Sequence, residues 1–118
     1  MLAESLPDSG VHELLLWLLG LRRRVRVTGA SMIPTLKEGD EVLYDPRAYQ
    51  SRQPHVGDVV VARRPDRQKV MLVKRVAAIG ADGRFLLYGD NPSASTDSHD
   101  FGPVGREHLA GKVTSRFG

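Results

Sequence analysis

The chain has 118 residues and a mass of 13.0 kDa, the size of one domain, and its 41% hydrophobic and 26% charged residues exclude a disordered or fibrous chain. It has no cysteine, which excludes disulfides, zinc–thiolate centres and a cysteine nucleophile. The net charge of +3 is too small to argue for a nucleic-acid partner, but the basic set is lopsided: thirteen arginines against four lysines, Lys37, Lys69, Lys74 and Lys112.

Residues 14–19 (LLLWLL) are the most apolar run, and residues 11–21 hold eight apolar side chains in eleven. That is far short of the ~20 needed to span a bilayer. A secretory signal opens with basic residues; here Glu4, Asp8 and Glu13 stand instead. Asp8 and Ser9 are suitable N-caps, predicting a short helix over about residues 9–21. Arg22, Arg23, Arg24 and Arg26 follow at once. Residues 1–24 are thus expected to form an N-terminal helix and basic turn that docks on the domain or on a partner. The alternative is an interfacial helix touching a membrane peripherally, with the arginines at the headgroups. No nucleic-acid partner is expected, because the arginines are not interleaved with aromatic residues.

From residue 25 to 118 the pattern is one of strands separated by turns. Strands are predicted at 25–28, 41–44, 58–63, 70–79, 84–88 and 112–117, with a possible single helical turn at 106–109. Glycine, proline and short polar residues mark the connections, the longest of them at residues 90–105. The fold class is mostly β: a single, mainly antiparallel domain with a short N-terminal helix.

Three stretches hold the candidate chemistry. Lys74 lies in a strand that is apolar on both sides except for Lys74 and Arg75. If the Lys74 side is the buried one, desolvation disfavours its ammonium, and a neutral amine can act as a general base. If Arg75 points inward instead, Lys74 is an ordinary exposed lysine. Ser31, in the run 29–36 (GASMIPTL), follows a strand and a glycine turn, with Pro34 stiffening the exit, a rigid mount for a nucleophile. It is not the G-x-S-x-G elbow, because residue 33 is isoleucine. Residues 89–103 (GDNPSASTDSHDFGP) are dense in short hydroxyl and carboxylate side chains, which order a loop through local hydrogen bonds. The four histidines are dispersed, so no metal site and no cofactor are expected, and Ser98-His99-Asp100 are sequence neighbours that cannot converge as a triad.

Taken together, residues 27–44 (VTGASMIPTLKEGDEVLY), 57–79 with VKRV at 73–76, and 89–113 (GDNPSASTDSHDFGPVGREHLAGKV) resemble the successive boxes of the type I signal peptidase family. The resemblance covers residues 27–113. It implies a signal-peptidase-like, partly barrel-like antiparallel β domain and a serine endopeptidase with a Ser/Lys dyad, Ser31 the nucleophile and Lys74 the general base. Ser95 matches the serine that orients the base, and Asp97 the structural aspartate of the same loop. The backbone amide of Ser31 would stabilise the oxyanion. The family's hydroxyl two residues before the nucleophile is Gly29 here, and His99 stands where many members have an arginine paired to the aspartate. The family's preference for small residues before the scissile bond implies a shallow apolar pocket, expected near Met32 and Ile33.

Membrane anchors and a large inserted β domain, carried by many family members, are not expected here. In that respect the chain resembles the compact members that mature nickel-type superoxide dismutase, and a precursor of that enzyme is the implied substrate, with cleavage in the cytoplasm. Three alternatives stand beside this. One is a membrane-associated signal-peptidase-like enzyme with other substrates. Another is a self-cleaving repressor-type protein, disfavoured because no Ala-Gly or Cys-Gly precedes Ser31 and about 24 residues are too few for a helix-turn-helix domain. The last is a non-catalytic β-barrel binding module.

Overall fold

The computed structural model describes residues 6–91, 93 and 101–117. Six strands form one antiparallel sheet: β1 (Arg23–Arg26), β2 (Glu41–Asp45), β3 (Val59–Arg64), β4 (Arg67–Ile79), β5 (Phe85–Tyr88) and β6 (Leu109–Phe117). Their order is β1-β2-β6-β3-β4-β5, so β6, last in the chain, is inserted between β2 and β3. One short helix, α1 (Val11–Leu18), precedes the sheet, and only a tight turn joins β4 to β5, with no large inserted domain.

The interior strand β3 explains the core. Val59, Val60, Val61 and Ala62 are all buried. Alternation along a strand sends Val59 and Val61 to one side and Val60 and Ala62 to the other. The first pair packs with Val27, Met32, Leu36, Val42, Val73 and Val113; the second packs with Tyr49, Val76, Phe85, Leu87 and Val104. Val27, just after β1, and Val73, in β4, share a cluster although three strands separate β1 from β4 in the sheet. The sheet therefore curls, bringing the chain after β1 over β4. At Gly111 in β6 the strands approach so closely that an added Cβ would meet the Asp45 carbonyl and, at 2.8 Å, the Tyr44 ring. A register shift in β2 falls at the adjacent Leu43/Tyr44 step.

The helix is shorter than expected. Ser9 and Asp8 do not cap it; its N-cap is Gly10, without a side-chain bond. Both residues are drawn instead to β6. Ser9 shares a hydrogen bond with Ser115 at 2.6 Å, and Arg116 donates to Asp8 at 2.9 and 3.1 Å. At the other end, Gly20 at φ 79° lets Gly20 and Leu21 donate back to the Trp17 and Leu16 carbonyls, a closure that stops the helix early.

The helix docks on the domain. Trp17 meets Phe117 edge-on at 5.1 Å, and the Arg24 guanidinium lies 5.3 and 5.0 Å from those two rings. Glu13 accepts hydrogen bonds from Thr114, from Ser115 at 2.9 Å and from Arg22 at 3.1 Å. Burial would raise the Glu13 carboxyl, but these donors outweigh it and hold its pKa below the ordinary value. Where a basic turn was expected, Arg23–Arg26 form β1, and Arg22 and Arg24 are recruited to the helix contact. None of the described helices is long and apolar enough to cross a membrane.

Candidate active site

Ser31 sits in the turn between β1 and β2. Gly29 opens that turn at φ 79°, a backbone conformation in which a Cβ is strained, and the Ile33–Pro34 bond is cis. The turn is tied internally by the Ile33 N–H to the Ala30 carbonyl and the Leu36 N–H to the Met32 carbonyl. Met32 and Leu36 are fully buried and pin it to the core. Among the described residues the Ser31 N–H has no acceptor.

Lys74 comes from β4, in register with Val60 of β3. Its Nζ lies 3.0 Å from the Ser31 Oγ, and the residue is only 3% exposed. Of the two orientations that alternation left open, the structure buries Lys74. Arg75 is not left to solvent either: its guanidinium forks onto Asp90 at 2.9 and 3.0 Å and donates to the Gly57 carbonyl at 2.7 Å. A bidentate pair of this kind is geometrically demanding.

Asp90 and Asn91 join the two halves of the site. Asp90 also accepts from the Thr35 hydroxyl at 2.5 Å, linking β4 to the Ser31 turn. The Asn91 side-chain amide donates to the Ala30 carbonyl at 3.0 Å, and its backbone N–H to the Ser31 carbonyl at 2.8 Å. Arg75, Thr35, Asp90 and Asn91 were assigned no role by sequence reasoning. Their signal was there as an arginine beside the buried lysine and an acidic residue straight after the Gly89 turn. Ser95 and Asp97, expected to orient Lys74 and to order the loop, lie outside the described residues, as does His99.

A cleft of about 240 Å³ opens beside Ser31 and Lys74, walled by residues 26–31 on one side and residues 71–74 on the other, with Arg64 added. Met32 and Ile33, expected to form the substrate pocket, do not line it. Met32 is spent in the core, and Ile33, 39% exposed, lies outside the lining. The β4 wall has an open backbone edge: β5 pairs only with the stretch from Arg75 to Ile79, so residues 71–73 have no strand on that side among the described residues.

The profile described as "Signal peptidase, peptidase S26" matches residues 11–83, more than half of the chain. Mitochondrial inner membrane protease subunit 1 of Xenopus tropicalis is 32% identical over 108 residues, covering 75% of this chain and 65% of its own length. The same subunit of Schizosaccharomyces pombe is 34% identical, covering 75% of this chain and 69% of its own. The probable signal peptidase I-1 of a Synechocystis species is 25% identical over 130 residues, covering 74% and 66%. The chain thus spans about two thirds of the length of these relatives. With the matched profile reaching from α1 to the turn after β4, and so across both Ser31 and Lys74, the chain belongs to the signal peptidase family, peptidase S26, whose members are serine proteases of the signal peptidase type.

Proposed function

We propose that the protein is a serine endopeptidase that removes an N-terminal leader from a precursor protein, with Ser31 as nucleophile and Lys74 as general base. The observation that carries this reading is the 3.0 Å approach of Lys74 Nζ to Ser31 Oγ, made by a lysine that is almost wholly buried. A serine hydroxyl is a weak nucleophile until a base takes its proton. Burial disfavours the ammonium form and so favours a neutral amine able to accept it. As Ser31 Oγ attacks the scissile carbonyl carbon, the proton passes to Lys74. The carbonyl oxygen, now negative, is stabilised by the Ser31 N–H, which has no acceptor among the described residues. Lys74 then protonates the departing amine, leaving an ester on Ser31. In the second half Lys74 takes a proton from water, which attacks that ester, and returns it to the Ser31 Oγ as the ester bond breaks and the acid leaves. Ser95 and Asp97 are proposed to orient Lys74 and to hold its loop.

The cleft suits an extended peptide. At about 240 Å³ it lies below the roughly 300–1,000 Å³ of small-molecule sites. The open β4 edge at residues 71–73 offers backbone groups with which such a peptide can pair. For the substrate itself the reading is a nickel-type superoxide dismutase precursor, supported by the compactness of the domain, in which nothing large is inserted after the Lys74 strand. The similarity to subunits of an inner mitochondrial membrane protease favours a second reading, a precursor presented at a membrane.

The test is co-expression with a nickel dismutase precursor and mass spectrometry of the product's N-terminus, with Ser31→Ala as control. A shortened N-terminus that Ser31→Ala abolishes supports both the mechanism and the substrate. An intact precursor, alongside labelling of Ser31 by a serine-directed acylating probe, removes the dismutase and keeps the peptidase. No labelling and no cleavage removes both.

A further inference from the structure

Two arginines share the cleft with Ser31 and Lys74. Arg26 ends β1, is exposed, and makes no salt bridge or side-chain hydrogen bond among the described residues. Arg64 ends β3; its Nε donates to the exposed Asp66 at 2.6 Å, which leaves the two terminal nitrogens of its fork without an acceptor among the described residues. The register places both away from the Ser31–Lys74 contact. Arg63 pairs with Met71, three residues before Lys74, so Arg64 lies beyond the far end of the β4 wall. Arg26 stands at the far end of the other wall, five residues before Ser31. Around them, Arg63, Arg67 and Lys69 are exposed on the β3–β4 hairpin, and Asp66 is the one acidic residue of residues 63–69.

We propose that the Arg26–Arg64 end of the cleft is a specificity subsite for an acidic side chain of the substrate peptide. The inference rests on the reading of Ser31 and Lys74 as the cleaving pair and adds what else the substrate must carry. A guanidinium presents a planar fork that matches a carboxylate, and among the described residues these two forks meet only the carboxylate of Asp66, which leaves the arginines in excess there. An extended chain advances roughly 3.3 Å per residue, so the three β4 residues from Lys74 to Met71, with Arg64 beyond them, put the acidic residue about three to five positions from the scissile bond. A basic patch can also serve a lipid surface. The peptide is favoured because both arginines line the cleft that holds Ser31 rather than a separate face.

The experiment uses a cleavable peptide of small neutral residues in which one Glu is moved through each position on both sides of the cut. The expected result is that Glu at one or two positions, about three to five residues away, raises kcat/KM roughly tenfold. That gain is lost in Arg26→Gln and in Arg64→Gln and shrinks at high salt. Both side chains reach solvent, and a thermal melt confirms that the variants are folded. Equal rates for all Glu positions, or a preference that survives both substitutions, overturns the proposal. Fluorescence binding of the Glu peptide and its Gln counterpart to Ser31→Ala reads the same subsite without cleavage. Tighter binding of the Glu peptide supports the subsite even if no peptide is cut, in which case the peptidase reading alone falls. Equal binding overturns the subsite. Adhesion to phosphatidylserine vesicles that the two substitutions weaken, with no Glu preference in peptides, assigns the arginines to lipid and overturns it as well.

Discussion

The backbone N–H of Asn91 donates to the carbonyl oxygen of Ser31 at 2.8 Å, and the same residue's side chain holds the Ala30 carbonyl at 3.0 Å. The segment after β5 therefore grips both peptide units that flank the Ser31 Cα, the first of which carries the N–H proposed to meet the oxyanion. Asp90 does the equivalent one residue earlier, binding Thr35 and Arg75 at once. The pair of hydrogen-bonded residues fixes the turn against the strand that carries Lys74.

Asn91→Ala is expected to lower kcat about fivefold with little change in KM, because a net hydrogen bond to a positioned backbone group contributes roughly 1 kcal/mol and its loss lets the turn wander. Steady-state kinetics on a peptide substrate measure this, with a thermal melt to show that the fold persists. An unchanged kcat would mean that the Ser31 turn holds itself.

Ser31→Ala and Lys74→Ala should each abolish cleavage, and the double substitution should be scarcely worse than either, since members of one catalytic unit act non-additively. Lys74→Arg should be inactive as well, because arginine keeps its proton at any working pH. Measurable turnover by Lys74→Arg would argue against a proton-accepting role.

Cleavage should rise with pH. Attack by Ser31 needs the neutral amine, and burial of Lys74 favours that form, so the acidic limb of kcat/KM should lie well below the ordinary lysine value of about 10.4. His99 can titrate near neutrality, so the profile is repeated in His99→Gln. A limb that vanishes there while turnover persists would belong to the histidine, and the lysine interpretation would fail.

Gly111→Ala should destabilise the domain. The new Cβ has no room between the Asp45 carbonyl and the Tyr44 ring, so β2 and β6 must separate. Overpacking of this sort costs roughly 1–3 kcal/mol, and each kcal/mol lowers Tm by about 4–8 °C in a domain of this size. A melt that matched the wild type would show that the strands can part freely.

Docking of α1 should weaken in acid. The Glu13 carboxyl is held below its ordinary pKa in the folded protein, so its contribution is fully present above the ordinary value and fades as the pH falls through the folded one. Tm measured against pH should therefore show wild type above Glu13→Gln at neutrality, with the two curves converging in acid. A constant offset at all pH values would contradict the linkage.

Much of the architecture was legible because its cause is local. Apolar runs bounded by glycine, proline and short polar residues located all six strands, to within about three residues at their ends. The boundaries that moved did so through partners distant in sequence. β1 begins at Arg23 because Arg23 pairs with Tyr44 and Arg24 with Leu43 across the sheet. Ser9 and Asp8 were good caps by residue type, yet a hydroxyl and a carboxylate bond whatever partner is nearest, and the parallel bridge between Asp8 and Arg116 put the end of β6 there.

The candidate site divides along the same line. Residue types, order and spacing in the SMIPTL, VKR and GDN runs were enough to single out Ser31 and Lys74 and to bring the family into view. Which way Lys74 points was undecidable from a strand apolar on both sides, because alternation says only that Lys74 and Arg75 face opposite ways. Tertiary packing decided it: the sheet curls until the Ser31 turn lies against β4, and that contact buries Lys74 while Asp90 takes the charge of Arg75. The fate of Met32 followed from the same curl, since a side chain beside the nucleophile in sequence was turned into the core and out of the cleft. Period and composition report which groups a segment offers; only the closure of long-range contacts determines which of them meet.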